Sequence, residues 1–345
     1  MSRLVVALVP LLVVVFATLA QAATIGFRET ELTDIAGPRS LQVSLWYPTD
    51  DTGPAVPIGE NRVFYGVPAV RNAKPANDAR PLVALSHGNG GSWRNLAWLA
   101  GVLAEKGYIV VAPNHPGTTT LNKDAAEAAK LWERPRDLSR VIDVVTKDEN
   151  LAGKVDPTRI AAIGHSLGGW TATALAGGRF NTPRFARECR AHPNPRICRL
   201  SSTRADEPSP SSKLNDDLRD TRVGAIVSLD LGLARGFTPE SLAAFPVPAL
   251  IIGAGTDIGD LPAKLESGFL AEHMPASTTR YVEIPDAMHF SFMQLCKPGA
   301  AALIEADSPG DGIVCRDGGT RGRAAIHQEV ADLIVAFLEK SIPPK

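Results

Sequence analysis

Gly164-His165-Ser166-Leu167-Gly168-Gly169 carries the pattern G-x-S-x-G, in which glycines flanking a serine let a strand turn sharply into a helix and lift the hydroxyl out of the sheet. A serine hydroxyl is a weak nucleophile at neutral pH. It attacks a carbonyl only beside a base that takes its proton and an acid that orients the base. Both follow Ser166 in the order carboxylate, then histidine. His289, in Pro285-Asp286-Ala287-Met288-His289-Phe290, falls after a late strand pattern and before the terminal helix pattern, which suits the base. His327 sits inside that amphipathic terminal segment, where packing or capping is expected. His165 neighbours the serine and should point away from its hydroxyl. For the acid, Asp257 ends Leu250-Ile251-Ile252-Gly253-Ala254-Gly255-Thr256-Asp257 and Asp230 ends Ile226-Val227-Ser228-Leu229-Asp230, each at the turn after a strand. Asp257 is favoured over Asp230, with Asp260 a weaker third; an aspartate not so used would cap its turn.

Acyl transfer also needs donors aimed at the oxygen that becomes negative, each worth about 3–4 kcal/mol. Ser86-His87-Gly88-Asn89-Gly90-Gly91-Ser92 ends another strand pattern, and its glycines let backbone N–H groups turn inward. The backbone N–H groups of Asn89 and of Leu167, directly after the nucleophile, would form the oxyanion hole. The plainer alternative is a glycine-rich connector opening a helix at Ser92. Neither G-x-x-x-x-G-K nor G-x-G-x-x-G occurs there, which disfavours a phosphate loop.

To bring these residues together, the chain needs a sheet whose strands end at one edge. Short β-branched runs alternate with longer helical patterns, the signature of βαβ units on a parallel sheet. Residues 41–47 alternate as a half-buried strand in an N-terminal antiparallel hairpin. Residues 81–85, 108–112, 159–163, 223–227 and 249–252 read as buried parallel strands, with 281–284 near the edge. Helices are expected over 93–106, 135–147, 166–176, 262–273 and 323–340, the last with Val330, Leu333, Ile334 and Phe337 at helical spacing. The fold class is α/β. Residues 50–80, rich in Pro, Asn and Gly, are expected as a surface excursion. Residues 178–222 are expected as a cap-like insertion within one catalytic domain spanning 23–345.

With 345 residues, 44% apolar and 21% charged, the chain can bury a large core, and disorder or a polytopic membrane architecture is disfavoured. Thirty-six basic against 37 acidic residues leave no electrostatic footprint for nucleic acid. A small or neutral partner is expected. Arg3, the uncharged run Leu4 to Leu19 and Ala20-Gln21-Ala22 read as a signal peptide over 1–22. The run contains Pro10 and is shorter than the roughly 20 residues of a spanning helix. Export, to a periplasm or outside the cell, is expected, with no stable membrane span after cleavage. An oxidising compartment lets Cys189, Cys198, Cys296 and Cys315 pair. Of three connectivities, proximity favours Cys189–Cys198 and Cys296–Cys315. No C-x-x-C and no metal-spaced His pair supports a metal site.

Gly164 to Gly169, His87-Gly88-Asn89-Gly90-Gly91 and the ordered Asp257 and His289 resemble the α/β-hydrolase superfamily. More narrowly, the chain is similar over nearly its whole mature length to bacterial dienelactone-hydrolase-like proteins related to platelet-activating-factor acetylhydrolase. The resemblance implies a serine hydrolase of carboxylic esters, small or lipid-like, with no metal or organic cofactor. The relatives divide over the acid. Val227-Ser228-Leu229-Asp230 resembles the acid segment of the acetylhydrolases, and Ile252-Gly253-Ala254-Gly255-Thr256-Asp257 that of polyester hydrolases and cutinase-like enzymes. True dienelactone hydrolases use a cysteine where this chain has Ser166, which counts against a dienelactone substrate. The expected function is an exported serine esterase; a serine peptidase or amidase and a catalytically silent binding protein are its rivals.

Overall fold

The computed structural model describes residues 24–33, 39–198, 210–259 and 261–344. The expected signal peptide over 1–22, Asp260 and part of the 178–222 insertion lie outside them. In chain order the strands are β1 Thr24–Leu32, β2 Leu41–Thr49, β3 Val56–Ile58, β4 Val67–Arg71, β5 Arg80–Ser86, β6 Ile109–Pro113, β7 Val155–His165, β8 Val223–Leu229, β9 Ala249–Ala254 and β10 Thr279–Ile284. The longer helices are α1 Ala97–Glu105, α2 Glu133–Val145, α3 Leu167–Leu175, α4 Thr182–Ala191, α5 Ser267–His273, α6 Ala300–Asp307 and α7 Arg323–Ser341.

All ten strands belong to one sheet, ordered β10-β9-β8-β7-β5-β6-β2-β1-β4-β3. From β6 through β5, β7, β8 and β9 to β10 every neighbouring pair is parallel. The strand β2 joins β6 antiparallel and forms the expected hairpin with β1, in register from Thr24↔Thr49 to Leu32↔Leu41. After β5 the chain goes to β6 on one side and then to β7 on the other. Their carboxyl ends therefore flank a topological switch point, where open α/β sheets form their crevice.

The parallel strands are apolar on both faces because both are covered. Successive residues point to opposite sides, so Leu82, Ala84, Ile109, Val111, Ile160 and Ala162 join one core with Leu138, Val141 and Ile142 of α2 and Trp170 of α3. Val83, Leu85, Val110, Ala161 and Ile163 join the other, with Leu99 and Leu103 of α1 and Ile326, Val330 and Ile334 of α7. Burying one such side chain stabilises the fold by about 1.5–3 kcal/mol.

Two regions depart from expectation or add to it. The 50–80 excursion contains β3 and β4, which extend the sheet beyond β1. Pro57 and Pro68 interrupt the strand pattern there; Pro57 lies on the edge strand β3, where proline is tolerated, and Pro68 of β4 is its register partner. In the insertion, α4 begins at Thr182 after the cap residue Asn181, whose side chain accepts from Arg184 N. Phe180 packs with Phe185, Phe237 and Trp170, joining the insertion to the core beside α3. Both expected disulfides, Cys189–Cys198 and Cys296–Cys315, are formed.

Candidate active site

Ser166 stands between β7 and α3 with φ 57° and ψ −121°. A positive φ at a non-glycine residue costs on the order of 1–3 kcal/mol and persists only where the surroundings over-determine it. Here Ser166 N–H donates to Leu229 O at 2.9 Å, and the flanking glycines let three backbone segments meet. A Cβ on Gly164 would lie 2.0 Å from Gly168 O, and one on Gly168 1.9 Å from Ser86 O. The motif's glycines thus serve close packing of the elbow on itself and on β5.

His289 opens a 3₁₀ turn, His289–Phe292, shortly after β10. Its Nε2 is 3.0 Å from Ser166 Oγ and its Nδ1 is 2.6 Å from Asp230 Oδ2. His289 and Asp230 are 4% and 2% exposed, while Ser166 is half-buried. Asp230 directly follows β8, and β9 fixes it: its N–H donates to Ile252 O at 2.7 Å and its Oδ1 accepts from Ala254 N at 2.9 Å.

The structure brings Ser166 and His289 together as expected, but with a different carboxylate. Asp257 is exposed, and its Oδ1 accepts from Gly259 N at 3.0 Å and Leu261 N at 2.9 Å. It caps its own turn, so the expectation that Asp257 stands beside His289 is corrected: the carboxylate at the imidazole is that of Asp230. Asp230 follows β8, the neighbour of β7, and its Oδ2 reaches the ring, whereas the carboxylate of Asp257 turns back onto its own loop.

Among the described residues, no acceptor takes the N–H of Asn89 or of Leu167. Gly88 passes so close to the elbow that a Cβ on it would lie 3.2 Å from Ser166 Cβ. Gly88 O accepts from His87 Nδ1 at 2.7 Å and from Gly91 N at 3.2 Å. The peptide is planar and trans, so holding this carbonyl fixes the Asn89 N–H on its opposite side. His115 N–H donates to His87 Nε2 at 3.1 Å, which leaves the ring proton on Nδ1. Burial, and then the charge of Arg134, hold the His87 pKa well below its ordinary value.

Several residues that hold the His289 turn were not legible as site residues in the sequence. His165 Nε2 bonds His289 O at 2.8 Å, Trp98 Nε1 donates to Phe292 O at 2.9 Å, and His327 Nε2 contacts Ser291 O and Met293 O at 3.0 Å each. With carbonyl partners the histidine nitrogens must be the donors. His327 stacks on Trp98 with ring centroids 3.8 Å apart, the packing role expected of it. Burial lowers its pKa to about 4, with the Arg323 charge adding to the effect. His165 is also pushed down, by burial and then by His289. Ser291 Oγ donates to Asp317 Oδ1 at 2.5 Å, and Arg323 binds Asp317 at 3.1 Å and Val314 O at 2.9 Å. These bonds tie the loop closed by Cys296–Cys315 to the turn that bears His289. Among the described residues, no group of three His, Cys, Asp or Glu is placed to hold a metal ion.

A family model described as the alpha/beta hydrolase family matches residues 82–301. The chain is similar to Cutinase est1 of Thermobifida alba, 25% identical over 218 residues that cover 62% of this chain and 55% of the cutinase. It is also similar to Cutinase cut1 of Thermobifida fusca, 30% identical over 105 residues that cover 30% of each chain. It thus spans about half the length, or less, of these curated relatives. Among solved structures, the ferulic acid esterase from Streptomyces cinnamoneus superposes with a TM-score of 0.65 at 23% identity, covering 95% of this chain and 93% of the esterase. That likeness is one of fold.

Proposed function

Because the chain belongs to the α/β-hydrolase family, we propose that it hydrolyses carboxylic esters through an acyl-enzyme on Ser166. The observation that carries the reading is the linear contact of Ser166 Oγ to His289 Nε2, 3.0 Å, and His289 Nδ1 to Asp230 Oδ2, 2.6 Å. Ser166 Oγ attacks the ester carbonyl carbon while His289 Nε2 takes its proton. Asp230 keeps the other ring proton on Nδ1 and stabilises the imidazolium. The carbonyl oxygen becomes negative between the N–H groups of Asn89 and Leu167. When the tetrahedral intermediate collapses, the C–O bond to the alcohol breaks and His289 returns the proton to the departing oxygen. Water then repeats the sequence, releasing the carboxylic acid and free Ser166.

Ester rather than amide substrates are supported by the likeness to proteins named cutinase. The chain reads as one catalytic domain over 23–345, with 178–222 as a cap-like insertion within it. Export fits the two disulfides, because such bonds persist where thiols are not kept reduced. No helix among the described residues is long and apolar enough to cross a membrane.

The test is labelling of the purified protein by a fluorophosphonate probe, alongside hydrolysis of esters of graded acyl length. Wild type should label and turn over, and Ser166→Ala should do neither. A silent binding protein would leave both forms unlabelled, and an amidase would prefer amides over matched esters.

A further inference from the structure

A second Ser–His–Asp array lies beneath the turn that follows β5. Ser86 Oγ is 3.0 Å from His115 Nε2, and His115 Nδ1 is 2.9 Å from Asp137 Oδ2. The residue types and separations repeat those at Ser166, but all three residues are fully buried. Proton directions follow from the ends of the chain. Arg134 Nη2 donates to Ser86 Oγ at 3.2 Å, and a guanidinium has only donors. Ser86 therefore gives its single proton to His115 Nε2, and His115 donates through Nδ1 to Asp137. Burial, with the Arg134 charge adding to it, lowers the His115 pKa to about 4. Asp137 also accepts from Arg39 Nε and Nη2 at 2.8 Å each. Burial disfavours its charge, but the bonds from Arg39 and His115 outweigh that and hold its pKa well below the carboxylate range. Ser86, facing a cation and closed to solvent, is no nucleophile. The array orients Arg134.

The reach of Arg134 gives that orientation its meaning. Its Nε donates to Thr171 Oγ1 at 3.0 Å, and Thr171 Oγ1 donates to Leu167 O at 2.8 Å. Its Nη1 donates to Thr118 Oγ1 at 2.6 Å, and Thr118 O accepts from Gly90 N at 2.8 Å. Its Nη2 also donates to His87 O. One planar cation therefore grips the first turn of α3, which bears Leu167, and both flanks of Asn89. Burial lowers the Arg134 pKa to about 9, with Asp137 opposing, so the fork stays charged at neutral pH.

We propose that Arg134, oriented by Ser86, His115 and Asp137, is a positioning residue that holds the N–H groups of Asn89 and Leu167 at a common oxyanion. The proposal rests on the function proposed above for those two amides. A lysine keeps the charge but cannot reproduce the planar fork.

Arg134→Lys tests it, with active sites counted by end-point fluorophosphonate titration and folding followed by thermal unfolding. Losing one oxyanion donor lowers turnover by about 10²–10³-fold. A fall of that order in kcat per titrated site is expected, with KM little changed, an unaltered pH midpoint and a parallel loss of affinity for a boronic acid that mimics the tetrahedral intermediate. A purely structural role would lower the melting temperature or the titrated fraction and leave kcat per site and boronate affinity intact; that result overturns the proposal. If Arg134→Lys does not fold, Thr171→Val and Thr118→Val each remove one arm of the fork, and wild-type kcat per site in both overturns it equally. Labelling of Ser86 in Ser166→Ala would overturn the assignment of the buried array. Wild-type ester hydrolysis by Ser166→Ala would instead strike at the function proposed for Ser166.

Discussion

Asp230 Oδ2 meets His289 Nδ1 at 2.6 Å across 59 residues of sequence, and the same carboxylate accepts from Ala254 N at 2.9 Å through its other oxygen. One oxygen is thus spent on β9 and the other on the imidazole. Asp257 spends its carboxylate on its own turn. Asp230→Asn should lower kcat/KM by roughly 10⁴-fold, as when a triad acid is replaced by its amide and the wrong histidine tautomer results. Asp257→Asn should change it little. Ester hydrolysis by both folded variants checks this, and the opposite ranking would restore Asp257.

The Cys296–Cys315 bridge closes a loop that Arg323 and Asp317 join to the turn bearing His289. Cys189–Cys198 lies in the insertion, at the α4 end, and among the described residues no hydrogen bond joins it to that turn. Each bridge should contribute about 2–4 kcal/mol to stability. Replacing Cys296 and Cys315 together by serine should lower kcat as well as the melting temperature. Replacing Cys189 and Cys198 together should lower the melting temperature while kcat on a small ester holds. Equal kcat losses in the two pairs would argue against the coupling of the Cys296–Cys315 loop to His289.

Buried neutral histidines set an acid limit. His327 has its pKa lowered to about 4 by burial and by Arg323, against an unfolded value near 6.5. The folded state therefore binds fewer protons than the unfolded state between these values. The stability this represents is present above about pH 6.5 and is lost as pH falls toward 4, on the order of 3 kcal/mol for one such group. His115 behaves in the same sense, for burial and Arg134 lower it to about 4. Denaturant unfolding from pH 7 to 4 should show stability falling with pH, and His327→Gln should flatten part of that slope. An unchanged slope in the variant would remove His327 from the account.

Much of this was legible in the sequence because it is local. The alternation in 41–47 and the apolar runs at 81–85, 159–163 and 223–227 lie within β2, β5, β7 and β8, and the glycines around Ser166 mark an elbow whose contacts require them. The contact of His289 with Ser166 was legible because a histidine just after the late strand falls at the same edge of the sheet as the serine. Which aspartate meets His289 was not legible, because Asp230 and Asp257 both follow strands and the course of the backbone after each decides which carboxylate reaches the ring. The strands β3 and β4 were hidden by Pro57 and Pro68, which break the strand pattern. The donors to the His289 turn, Trp98, His165 and His327, come from three separate elements and bond backbone carbonyls, which leaves no spacing pattern to read.

A Cβ on Gly168 would lie 1.9 Å from Ser86 O, a backbone atom that cannot swing aside. Gly168→Ala should therefore push the elbow away from the end of β5, costing stability on the scale of a severe overpacking change, about 1–3 kcal/mol or more, and abolishing turnover in whatever protein still folds. Wild-type activity in Gly168→Ala would mean that this contact does not constrain the serine.

The central claim is that Ser166 carries the acyl group. Rapid mixing with excess p-nitrophenyl ester, followed by acid quench and mass spectrometry of the intact and digested protein, tests it most directly. The prediction is a burst of about one p-nitrophenol per protein under conditions where deacylation is slow, with one acyl mass on the peptide containing Ser166 and none in Ser166→Ala. An acyl group on another residue, or undiminished steady-state hydrolysis by Ser166→Ala, would contradict the account.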